Sequence, residues 1–156
     1  MQVVGTLERE DDVWVANLDV IGVFAGGSTI DEALAQAVSL IELRATRDGR
    51  SLDGFTPVAT VVAAPDGTQQ IVVRSNQPTR LAFIVLRHQR ELRRMTLADV
   101  ADKLGASSRN AYARYEQGAS IPSVDKFVEI LEVLLPEFGV TLGERRHPNH
   151  LLQAPA

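Results

Sequence analysis

An α+β fold, with a small sheet and one covering helix in the first half and an all-α bundle in the second, is predicted by three observations. Residues 1–27 and 58–73 carry short β-rich runs separated by polar and glycine turns. Between them Ile30, Ala33, Leu34, Ala37, Val38 and Ile41 recur at the spacing of one helix face. Beyond residue 78 every strong pattern has the helical period.

The elements follow in order. Residues 1–8 alternate weakly and 13–18 are strand-like; Glu10, Asp11 and Asp12 between them have the polar character of a hairpin turn. A third short strand, residues 22–27, ends in two glycines, after which Ser28 or Thr29 caps the helix. Asp31 and Glu32 sit in its first turn, where the helix dipole favours negative charge, and the helix is expected to end near Asp48 and Gly49. Runs at 58–64 and 71–73, divided by Pro65-Asp66-Gly67-Thr68, add one strand or two. The resulting order is βββαβ, with an optional extra strand, and one helix covering the apolar face of the sheet.

Asn76, Gln77 and Pro78 are then expected to form a linker. A first helix of the second half places Leu81, Ile84, Val85, His88 and Leu92 inward, and a second places Leu97, Val100, Ala101 and Leu104. Tyr112 and Tyr115 mark the inward side of a third. In a fourth, cut off by Pro136, the inward residues are Val124, Phe127, Val128, Leu131 and Leu135. Ile130, Val133 and Leu134 leave that helix apolar on a second side, where a homodimer or higher homo-oligomer contact is expected. Domains are therefore drawn at residues 1–76 and 79–143, followed by a tail, 144–156.

Composition narrows the function. In 156 residues there is no cysteine, which excludes disulfides, thiolate metal sites and a cysteine nucleophile. His88, His147 and His150 have no metal-ligand or catalytic spacing, so no metal and no cofactor is expected. No apolar run approaches the roughly 20 residues that span a bilayer, and the first residues lack the character of a signal peptide; a cytoplasmic protein without a membrane partner is expected. The net charge of −4 is uneven. Residues 1–76 hold five Arg/Lys against eleven Asp/Glu, whereas 77–156 hold eleven against nine, with the basic excess between Arg80 and Arg114. An acidic half suits a basic protein partner and a basic segment suits phosphate, although solvated surfaces also carry such charges.

Residues 95–118, MTLADVADKLGASSRNAYARYEQG, carry the functional signal. Thr96 caps one helix, Gly105 permits a tight turn, and Ser107 or Ser108 caps the next. With Tyr112 and Tyr115 inward, Arg109, Asn110, Ala113 and Arg114 turn toward solvent or a DNA groove. Arginine suits guanine and asparagine suits adenine, each good bidentate contact discriminating by about 1–3 kcal/mol, and Arg114 suits phosphate. Exposed polar residues on any packed helical domain would look similar one at a time; the combination of caps, glycine turn and Glu116-Gln117-Gly118 favours DNA. The candidate DNA-binding residues are Thr96, Ser107, Ser108, Arg109, Asn110, Ala113 and Arg114.

Through TLADVADKLGASSRNAYARYEQGASIPSVDKF the second half resembles the lambda-repressor-like, Xre-type helix-turn-helix, with one residue more between Gly105 and Tyr112 than the commonest spacing. The first half is similar to the HicB antitoxin family through VWVANLDVIGVFAGGSTIDEALAQA, where Asp19, Gly22, Phe24, Gly27, Thr29, Glu32, Ala33 and Ala37 fit and Val20, Ile21 and Val23 depart. These resemblances imply a partial RNase H-like N-terminal domain that neutralises a HicA-like, mRNA-cleaving toxin, and a C-terminal domain that binds operator DNA and represses the shared operon. Glu10, Asp11, Asp12 and Asp19 are candidate toxin contacts, with Trp14 and Phe24 as apolar ones; Trp14 is equally readable as a core residue of the sheet, and the acids as solubility residues. Hydrolysis is not expected, because the carboxylates lie in a turn, a helix start and loops rather than converging on metal ions. The competing reading is a stand-alone repressor whose first half senses a small molecule.

Overall fold

The computed structural model describes residues 1–47, 51–106 and 108–137. The first half is a five-stranded antiparallel sheet, β1 (Val3–Glu10), β2 (Val13–Leu18), β3 (Val23–Gly27), β4 (Pro57–Ala63) and β5 (Gln69–Ser75), in the order β3-β2-β1-β5-β4. Both runs after the helix therefore form strands, the optional extra one included. Asp11 turns the first hairpin with φ 51°. Between β2 and β3 the chain makes a 3-10 turn, Asp19–Ile21, which the sequence pattern does not announce; Gly22, at φ 62°, closes it by donating its N–H to the Asp19 carbonyl at 3.0 Å.

Helix α1 (Ile30–Ala45) covers one face. Of the two candidate caps Thr29 is the one used: its Oγ1 accepts from the Glu32 N–H, while the Glu32 carboxylate accepts from the Ser28 N–H and hydroxyl at 2.8 and 2.5 Å. Those bonds hold the Glu32 carboxyl below its ordinary range. Ala33, Ala37, Ile41 and Ala45 are buried against the sheet, the small alanines allowing close approach. The helix ends at Ala45, earlier than expected; Asp48 and Gly49 lie outside the described residues.

Side chains of Leu7, Ala16 and Leu18 point to the α1 side, and the register Arg9↔Trp14↔Gly27 puts Trp14 with them. The opposite face carries Val4, Val13, Phe24, Val58 and Val62, all exposed, and no described element covers it.

The second half comprises α2 (Pro78–Leu92), α3 (Leu97–Lys103), α4 (Arg109–Glu116) and α5 (Val124–Leu134). The expected linker is instead a hydrogen-bonded junction. Asn76 accepts from the Thr56 N–H at 2.8 Å and donates to the Gly54 carbonyl at 2.7 Å, Gln77 donates to the Asp53 carbonyl at 2.9 Å, and Pro78 already occupies the first turn of α2. The helix itself is buried almost all round, with Leu81, Ala82, Phe83, Ile84, Val85, Leu86, Arg87 and Gln89 inaccessible. It is shared: Gln89 donates to the Val20 carbonyl at 3.0 Å and Glu91 pairs with Arg47 at 2.9 Å on the sheet side, while α4 and α5 pack on the other. One hydrophobic cluster consequently runs from Val3 to Leu135.

Two expected faces need correction. Leu92 is 61% exposed rather than inward, because it ends α2 beyond the last packed turn. In α5, Ile130 and Leu134 form the core side, while Val124 is 78% exposed and Phe127, Val128 and Leu131 are half-buried. Leu135 is buried as expected, and Phe127 and Leu131 pack against the core beside Ile130 and Leu134, so the packed stripe draws on both expected sides.

Candidate nucleic-acid interface

The site is assembled from two short capped helices. Thr96 closes a capping box on α3: its Oγ1 accepts from the Asp99 N–H at 3.1 Å, and Asp99 accepts from the Thr96 N–H and hydroxyl at 2.7 and 2.8 Å. The Asp99 carboxyl is accordingly held below its usual range, by the Thr96 backbone bond first and the hydroxyl second. Gly105, at φ 62°, then reverses the chain, the Gly105 N–H reaching the Asp102 carbonyl at 3.0 Å and the Ala106 N–H the Ala101 carbonyl at 2.9 Å. Ser108 caps α4 by accepting from the Asn110 N–H at 3.2 Å. Ser107 lies outside the described residues.

Helix α4 is fixed by its inward side. Tyr112 is almost fully buried, and burial pushes its hydroxyl well above the ordinary tyrosine range, with the neighbouring Glu116 carboxylate adding to the shift. Glu116 receives the Arg90 guanidinium of α2 in a two-pronged bond, Nε to Oε1 at 2.7 Å and Nη2 to Oε2 at 3.0 Å; Arg90 Nη1 also donates to the Met95 carbonyl at 3.0 Å. Both partners are largely removed from water, so the pair ties α2, α4 and the start of α3 into one frame. An acid four residues after an inward tyrosine is the sequence sign of this buried pair.

Outward from this frame stand Ser108, Arg109, Asn110 and Arg114, all exposed. Asn110 and Arg114, four apart, share one ridge of α4, with Arg109 beside them at its start. Thr96, Leu97, Ala98, Arg109 and Asn110 line a shallow hollow of about 430 Å³ between the starts of α3 and α4. Ala113 is a correction: it is buried, because the inward stripe of α4 is Tyr112, Ala113 and Glu116, broader than the two tyrosines imply. It forms part of the support, and a side chain without access to solvent reaches no base.

The N-terminal candidates do not converge. Glu10, Asp11 and Asp12 are exposed at the β1–β2 turn, where Asp12 lies 3.5 Å from Arg9. Asp19 is exposed at the far end of β2, Phe24 is 65% exposed on the uncovered sheet face, and Trp14 is half-buried on the opposite, α1-covered face, packed against the core. Trp14 thus sits where the core reading puts it, while Phe24 is the aromatic side chain that a partner can reach. Among the described residues no group of three or more His, Asp or Glu is arranged to hold a metal, and no helix is long and apolar enough to cross a membrane.

Two capped helices joined by a left-handed glycine, the second presenting Arg109, Asn110 and Arg114 from a buried frame, define a DNA-reading class of domain. Residues 86–134, about a third of the chain, match the helix-turn-helix family. No curated protein and no solved structure matches the chain. Residues 86–134 therefore form a helix-turn-helix domain, which points to DNA binding and transcriptional regulation.

Proposed function

We propose that the chain is an antitoxin of the HicB type, repressing its own operon through α4 and neutralising a HicA-like ribonuclease through its sheet. The observation that carries the DNA half is the outward row of Arg109, Asn110 and Arg114 on a helix whose other side is locked by Arg90 and Glu116. A recognition helix needs that division, since its base contacts are only as well placed as its packed side. The toxin half is supported by the resemblance of residues 13–37 to that family, by the acids around the first hairpin, and by an uncovered sheet face bearing Phe24. An RNA-cleaving partner presents cationic surface, and acidic groups meet it favourably.

Two measurements test the reading. Replacing Arg109 and Asn110 together by alanine is expected to abolish operator binding in a gel-shift titration at fixed salt while leaving the melting temperature unchanged; retained affinity refutes the assignment of α4. For the other half, the full-length chain is expected to protect RNA from the co-encoded toxin. The full chain is the appropriate reagent, because removing α2 would uncover Ile71, Val73 and Ile21. A folded chain that leaves RNA cleavage unaffected refutes neutralisation.

A further inference from the structure

β4 is the last strand of the described sheet, and it is bare of the devices that ordinarily protect an edge. The run Val58-Ala59-Thr60-Val61-Val62-Ala63 has no charge and no glycine, it pairs with β5 residue by residue without a bulge, and the single proline, Pro57, stands at its first position. Val58 and Val62 are 53% and 38% exposed. The direction of its backbone groups follows from the hairpin. The Ala64 N–H donates to the directly opposite Thr68 carbonyl at 2.8 Å, which makes that a hydrogen-bonded pair. Antiparallel pairs alternate, so Val62, Thr60 and Val58 spend their N–H and C=O groups on β5, and those of Ala59, Val61 and Ala63 point out of the sheet.

We propose that β4 pairs with β4 of a second copy of this chain, antiparallel about a twofold axis at Thr60, joining two five-stranded sheets edge to edge. The strand is complementary to itself in that register. Ala59 and Val61 of the partner subunit exchange both backbone bonds, and symmetry repeats the exchange. Val58 faces Val62 of the partner subunit on the uncovered side, in a pair whose own bonds go to β5 and whose side chains therefore approach most closely. Pro57, which lacks an N–H, falls at the end of the paired segment, where a missing donor interrupts nothing. A foreign strand would need charges or pockets to choose it, and residues 57–63 offer none; a copy of the same strand matches the outward N–H and C=O groups of Ala59 and Val61. The pairing is independent of what the chain binds, and it supplies the two copies that an operator with two half-sites requires.

The chain contains no cysteine, so one introduced at the axis is an unambiguous reporter. Opposed residues of a non-hydrogen-bonded antiparallel pair lie about 4.5 Å apart at Cα, within disulfide reach. Thr60→Cys is expected to oxidise to a covalent dimer of the full-length chain, and Val58→Cys, whose counterpart lies several residues away, is not. Wild type is expected to sediment as a dimer or a multiple of one, and Val62→Lys, which places a cation against Val58 of the partner subunit, as half that mass with unchanged far-UV dichroism. A monomeric wild type, a Val62→Lys variant of undiminished mass, or equal cross-linking at Val58 and Thr60 would overturn the pairing. Operator binding by a wild type that fails this test would leave the DNA reading standing.

Discussion

Glu116 and Arg90 show how much a single buried pair decides. Two charges taken out of water are tolerated because the bond is two-pronged and Arg90 also reaches the Met95 carbonyl; removing one partner strands the other. Glu116→Ala is expected to lower stability by about 3–5 kcal/mol in urea titration. Arg94 works in the opposite direction. It stands at φ 53°, closing α2 in a conformation that favours glycine, with its N–H on the Glu91 carbonyl and the Met95 N–H on that of Arg90. Arg94→Gly should therefore raise stability, by up to about 1 kcal/mol. His88 supplies a pH dependence. Burial first, and then Arg44, hold its imidazole below the ordinary value of 6.5, with Glu91 and Asp19 opposing. The unfolded chain thus binds that proton more tightly than the folded one, so this contribution is full above pH 6.5 and declines as pH falls below it. The melting temperature is expected to drop between pH 7.5 and 5.5, and His88→Gln to shrink the drop. Individual outward residues were legible in the sequence, since capping and spacing fix Ser108, Arg109 and Asn110. Ala113 was not, because alanine gives no polarity signal and the width of a buried stripe depends on what packs against it.

At the scale of elements, α2 explains the misread faces. Helical periodicity finds one apolar stripe, whereas this helix meets a sheet on one side and two helices on the other, so Ala82, Phe83 and Leu86 are buried as well as Leu81 and Val85. In α5 apolar residues cover more than one side, and only the position of α2 selects Ile130 and Leu134 as inward. Strands and caps are more legible because their determinants are local: Thr29 and Thr96 each accept from the N–H three residues on. The 3-10 turn at Asp19–Ile21 is set by its tertiary neighbours. A Cβ at Gly22 would lie 2.2 Å from the His88 ring, and the Gly22 carbonyl accepts from Arg44. Gly22→Ala combines that clash with a left-handed backbone, and it is expected to lower the melting temperature by several degrees, partly restored when His88 is replaced by alanine.

For the whole molecule, the shared helix forecasts cooperativity. Trp14, in β2, is the single tryptophan and reports on the sheet, while far-UV dichroism is dominated by the helices, α1 to α5 among the described residues. Their urea transitions should coincide; a dichroism change that precedes the tryptophan change would show the halves unfolding separately. A boundary drawn at residues 76–78 from proline and polar residues marks where the sequence character changes, yet the chain there is tied by Asn76 and Gln77 to the loop before β4. That junction bears on modular reuse. Helix-turn-helix units are commonly imagined as heads to be transplanted between bodies, but here the first helix of the head is also a wall of the body. A chimera joined at residue 78 would leave Leu81, Ile84 and Val85 facing a stranger's surface, and a protease seeking a seam between the two halves would find the backbone there already engaged.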